Sequence, residues 1–171
     1  MKLSIKQMTS LAILIAIEVI LSRFFSVTIA GVSKISFSFI AVGIMAIYYG
    51  PKYTAFGCVV ADLIGAVLFP SGPFFPGFTI SAGVTGFVYG LFLYQQHFSW
   101  WRITLVNVIL FFVLTLGLNA LWLMIMFGNT YEALVLMRVP NSLLMIGIEI
   151  FVFGIVQKYM LPRLNLDKLL K

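Results

Sequence analysis

Six long apolar runs follow one another along the chain: Met8 to Phe25, Ile35 to Tyr49, Tyr53 to Phe69, Phe74 to Tyr94, Ile103 to Phe127 and Val139 to Leu161. A bilayer core about 30 Å thick takes roughly 20 helical residues to cross, so runs of this length use nearly the whole chain. Backbone groups in lipid have no water to bond, which makes each run a helix. Gly31, the Gly50-Pro51 pair, FPSGPFFPG, QQHFSWWR and GNT supply the breaks between them. The second run is short and is expected to stand nearly upright or to be partly extended. No internal repeat or low-complexity stretch interrupts the pattern, so residues 1-171 read as one integral membrane domain.

Composition agrees, with 62% of the 171 residues hydrophobic and only 9% charged, far from the balance of a water-soluble domain. The formal charge of +6 does not mark a nucleic-acid binder, because the cations are scattered between apolar runs and form no stripe. Their placement reports topology. With both termini cytoplasmic, Lys2, Lys6, Lys52, Arg102, Lys158, Arg163, Lys168 and Lys171 fall inside, and Arg23, Lys34 and Arg138 fall outside, as the positive-inside rule requires. Trp100 and Trp101 then anchor the inner interface, and the tail after Pro162 rests on the inner leaflet. The opening MKLSIKQ imitates a secretory signal, but Glu18 and Arg23 interrupt the run behind it, which favours a retained first helix.

The chemistry of enzymes is missing. No G-x-x-x-x-G-K-[ST] loop is present to hold ATP, and no H-E-x-x-H motif to hold zinc. His97 has no nucleophile near it, the five acids are dispersed, and the single Cys58 allows neither an internal disulfide nor a multi-cysteine metal site. No metal, cofactor or catalytic residue is expected.

Ionisable residues inside membrane helices cost about 2.5 to 3.5 kcal/mol at the centre and ask for a reason. Asp62 could meet a ligand, cap a helix break or pair with another polar group. Glu149 could pair within the bundle and is given no ligand role. Toward the outside, Arg23, Lys34 and Arg138 outnumber Glu132, a surplus that suits an anion. Arg138 and Asn141 share a helical face in turns where backbone dipoles also favour a carboxylate; the plainer alternative is an arginine snorkelling to water. Glu132 reads as structural, forming a capping box with Asn129.

Asn119 and Trp122 share a face deep in the fifth run. Together they can stack on a flat heterocycle and bond its ring edge, or simply pack two helices together. Phe69, Phe74 and Phe75, set among prolines and glycines, would form either the rim of an aromatic pocket or a tight hairpin with lipid-facing rings. Ala12 with Ala16, and Gly86 with Gly90, are small-residue pairs that let helices approach closely. The first pair could face a partner chain and the second an internal neighbour. Gly31 and Lys34 make the first loop a candidate gate.

These residues resemble the S components of energy-coupling factor vitamin transporters, most nearly the folate-specific branch. The likeness runs through AILIAIEVILSRFF, ADLIGAVLFPSGPFFPGFTISAGVTGFVYGLFLY and LGLNALWLMIMFG, and more loosely through RVPNSLLM. The resemblance implies an all-α bundle of six transmembrane helices in the plasma membrane of a bacterium. It implies a subunit that captures folate outside and docks on a T component coupled to two ATPases, which alone use ATP. Ala12 and Ala16 match the face that contacts the T component. Substrate contact would fall to Arg23, Lys34, Phe69, Phe74, Phe75, Asn119, Trp122, Arg138 and Asn141. Ala12 and Arg23 nearly eclipse one another on a straight helix, so either the helix bends or Arg23 reaches around. Alternatives are an S component for riboflavin, thiamine or a pyrimidine precursor, an intramembrane enzyme built on Asp62 or Glu149, or a structural subunit.

Overall fold

A computed structural model describes residues 4-29, 33-70, 72-128 and 130-160. Gly31, Asn129 and the tail beyond Pro162 lie outside the described residues, as does the side chain of Lys34.

Helix α1, Ile5–Arg23, starts at a reciprocal cap in which the Gln7 amide N–H donates to Ser4 Oγ and the Gln7 side chain accepts from the Ser4 N–H. It is followed by a short antiparallel hairpin, β1 (Ser26–Ile29) with β2 (Ser33–Ser36), in the register Val27 to Ile35. Val27, Thr28, Ile29 and Ile35 are β-branched and disfavour a helix there. The second apolar run accordingly begins as strand and turns helical only at Ser38.

Helix α2, Ser38–Leu68, is broken at Gly50, whose φ of 75° lies in the left-handed region, and Pro51 follows. Only glycine takes that conformation cheaply, and proline cannot donate the helix bond that would continue the first half. A Cβ placed on Gly57 would stand 3.1 Å from Met45 Sδ, although twelve residues of straight helix would separate them by about 18 Å. The two halves therefore fold back on each other. Tyr49 donates its hydroxyl to Gln7 O near the start of α1, while Asp62 meets Arg23 at its end, so the second half runs beside α1.

Helix α3, Pro76–Leu93, crosses that second half at close range. A Cβ on Gly86 would lie 2.7 Å from Thr54 O and 2.8 Å from Cys58 Sγ, and one on Gly90 would collide with Pro51. The G-x-x-x-G spacing serves this internal contact.

Helix α4, Trp100–Leu110, passes through a π-helical stretch, Phe111–Leu118, into α5, Asn119–Phe127. Helix α6, Tyr131–Ile155, ends in a π turn over Val156–Met160. Thr130 is the N-cap of α6, which puts Glu132 in the first turn, where a carboxylate favours the helix dipole. Among the described residues, five helical segments are long and apolar enough to cross a membrane: Ile5–Arg23, Ser38–Leu68, Pro76–Leu93, Trp100–Phe127 and Tyr131–Tyr159. Met45, Leu93, Ile103, Val106 and Phe153 are fully buried where α2, α3, α4 and α6 meet. Phe153 lies over Gly43, and Trp100 covers Gly154. Trp101 is turned outward.

Candidate ligand-binding site

A cavity of about 370 Å³ opens between the hairpin and helices α2 to α6, within the range of small-molecule sites. Its polar lining comes from residues repeating at helical spacing. Helix α3 contributes Ser81, Thr85 and Tyr89, and α6 contributes Arg138, Asn141, Ser142 and Glu149. Asn107 enters from α4, and Asn119 from the first turn of α5, just past the wide π turns that reset its direction. Ser36 and Ser38 border the cavity where the hairpin joins α2.

Two groups on this wall are incompletely bonded. Asn119 Oδ1 and Arg138 Nε are buried and have no hydrogen-bond partner among the described residues. Buried polar atoms are nearly always satisfied, so an acceptor and a cationic donor left open on one cavity point to a molecule that completes them. A second hollow, about 490 Å³, is lined by Val84, Val113, Leu116 and Leu121, with Tyr131 its only polar side chain. It offers little to orient a polar ligand.

An aromatic layer stands behind Ser81. Trp122 Nε1 donates to Ser81 Oγ at 3.1 Å. Its ring packs against Gly77, where a Cβ would lie 2.5 Å from Trp122 Cδ2, and sits 5.7 Å from the Phe75 ring. Trp122 is thus tied to the lining through a serine and sits one layer outside it.

The remaining candidates are placed elsewhere. Arg23 turns to Asp62, and its guanidinium packs over Gly65. Phe69 stacks edge-on with Phe24, ring centres 5.0 Å apart, and Phe74 is exposed. Ala12 and Ala16 are exposed on the outer face of α1 among Met8, Ile13, Ile17 and Ile20. Helix α1 thus carries both an inward ion pair at its end and an exposed small-residue face.

The polar lining residues that went unnoticed in the sequence include Ser36, Ser38, Ser81, Thr85, Tyr89, Asn107 and Ser142. The signal was present in the four-residue spacing of Ser81, Thr85 and Tyr89, a polar stripe on an otherwise apolar helix.

A family model for the ECF transporter substrate-specific component matches residues 6–157. The chain belongs to this family. The folate transporter FolT of Leuconostoc mesenteroides is 31% identical to this S component over 155 residues, covering 87% of the chain and 83% of the relative. The folate transporter FolT of Clostridium novyi is 32% identical over 148 residues, covering 86% of each. The crystal structure of FolT bound with folic acid superposes with a TM-score of 0.84 at 31% identity, covering 90% of this chain and 93% of that one. The S component is thus a multi-pass membrane protein of a transporter and not an enzyme.

Proposed function

We propose that this S component captures folate outside the cell and releases it inward when docked on a T component coupled to two ATPase subunits. The observation that carries the reading is the pair of open polar atoms, Asn119 Oδ1 and Arg138 Nε, on one cavity wall. Each unpaired buried group costs about 1 to 3 kcal/mol, more for a charge, and folate returns that cost from both ends. Its glutamate carboxylates suit Arg138 and Asn141, and its flat pterin offers ring donors to an amide such as Asn119. Riboflavin carries no carboxylate, and thiamine is a cation that a buried guanidinium repels. The likeness to two folate transporters and to a folic-acid-bound structure supports the same choice.

Six crossings follow if β2 and the first half of α2 together make one span and the second half makes another, with both termini cytoplasmic, the chain forming one domain in a bacterial plasma membrane. The component itself needs no cofactor, since ATP is used by its partners. The exposed Ala12 and Ala16 face is the docking surface, where small side chains admit a partner helix. Phe75 and Trp122 form the aromatic layer behind the ligand. Arg23, Phe69 and Phe74 shape the outer end, and Lys34 belongs to the hairpin sequence beside it.

Folate titrated into detergent-purified protein should change tryptophan fluorescence saturably, and riboflavin or thiamine should not compete. No saturable response at micromolar folate would refute the assignment.

A further inference from the structure

We propose that Glu149 sets ligand specificity by reading a ring edge with two adjacent N–H donors, at the far end of a cavity whose near end is Arg138. The inference deepens the folate reading and rests on it. Arg138 and Glu149 both line the cavity from α6. Eleven residues separate them, close to three full turns, so they share one face about 16 Å apart along the axis. At that distance they do not pair with each other, and each is left to an opposite end of one elongated ligand.

The surroundings of Glu149 hold it for this task. Tyr89 of α3 and Asn107 of α4 line the cavity together with Glu149, and the Tyr89 hydroxyl interacts with both. Asn107 Nδ2 also donates to Ile103 O at 3.0 Å. Residues of three helices thereby surround one carboxylate, and a carboxylate has more lone pairs than a single phenol uses. An ionised carboxylate only accepts, so the ring edge it fits presents two hydrogens side by side. The amino-pyrimidinone edge of a pterin has them in its ring N–H and exocyclic NH₂. The matching edge of a flavin places carbonyl oxygens on both sides of its N–H and would set them against the carboxylate. Glu149 therefore rejects flavins and accepts pterins, while Arg138 demands the anion at the other end.

The test pairs a ligand change with a residue change. Wild-type protein titrated with 2-desamino-2-methylfolate, which lacks the exocyclic donor, should bind it about thirty- to a hundredfold more weakly than folate, the loss expected when a buried polar partner is left open. Glu149→Gln should weaken folate by a similar factor and bring the two ligands to nearly equal affinity. Equal binding of both ligands by the wild-type protein overturns the inference and leaves folate capture standing, and this arm does not depend on the variant folding. A folded Glu149→Gln protein with wild-type folate affinity overturns it as well. Failure of the wild-type protein to bind folate at all is the separate outcome that removes the underlying reading.

Discussion

Arg23 at the end of α1 meets Asp62 in the second half of α2, Nη2 standing 3.4 Å from Oδ1 and also 3.4 Å from the Asp62 carbonyl oxygen. The second carboxylate oxygen accepts from the Thr79 hydroxyl at 2.7 Å. One acidic residue thus ties α1, α2 and α3 together. The side chains are 12% and 25% exposed, so the pair is shielded enough to matter and its members are costly to separate.

Asp62→Asn should lower stability by about 2 to 3 kcal/mol, because Arg23 keeps its charge and loses the Asp62 carboxylate that faces it. Thermal melting in detergent measures this. Adding Arg23→Met should restore part of the loss, since no uncompensated charge then remains. Additive losses in that double variant would show that the pair is not coupled.

Packing between α2 and α3 has its own test. Gly90→Ala places a methyl group into Pro51, where backbone must move, and should cost at least about 1 to 3 kcal/mol. Gly147→Ala has open space around its new methyl and should be neutral or slightly stabilising, by up to about 1 kcal/mol, as alanine suits a helix better than glycine. Melting curves of the two variants should separate in opposite directions.

Arg138→Met should weaken folate binding by about a hundredfold with little change in melting temperature, because its Nε has no partner to lose among the described residues. Calorimetric titration reads the affinity. A strong drop in stability with unchanged affinity would place Arg138 in the scaffold instead.

Trp122→Phe removes the donor to Ser81 and keeps an aromatic ring against Phe75. A modest loss of folate affinity, about tenfold, is expected from a freed Ser81 and a smaller ring. Unaltered affinity would leave Trp122 as helix packing only.

Ala12→Trp and Ala16→Trp should abolish transport in cells and leave folate binding by the purified component intact, since both sites are exposed and remote from the cavity lining. Uptake of labelled folate, measured beside binding to isolated protein, distinguishes docking from folding. Loss of binding in either variant would contradict the docking assignment.

Much of the helical plan was readable because lipid removes choices: a chain that cannot bond its backbone to solvent must coil, and turn residues mark where it stops coiling. The break at Gly50 and Pro51 was visible for that reason, and Gly86 with Gly90 announced a close helix contact. The hairpin at Ser26–Ile29 and Ser33–Ser36 was less legible. Four-residue strands lie too near the end of a long apolar run for periodicity to separate them. The polar lining was partly legible, since Asn119, Arg138 and Asn141 stand out in apolar sequence. Tyr89 and Ser81 did not, because tyrosine and serine are common in membrane helices wherever they face.

The order of apolar runs, the distribution of lysine and arginine and the small-residue pairs determined from sequence alone that this chain is a helical membrane protein. Those features depend on local bonding and on the solvent, and they need no knowledge of neighbours. Only the tertiary structure decided that Arg23 is directed to Asp62, that Trp122 stands behind Ser81 and that Glu149 faces the cavity beside Tyr89. A side chain's role depends on which face of its helix meets which neighbour. That register is set by the reversal at Gly50 and the π turns before Asn119, where small changes in backbone angle redirect every residue that follows.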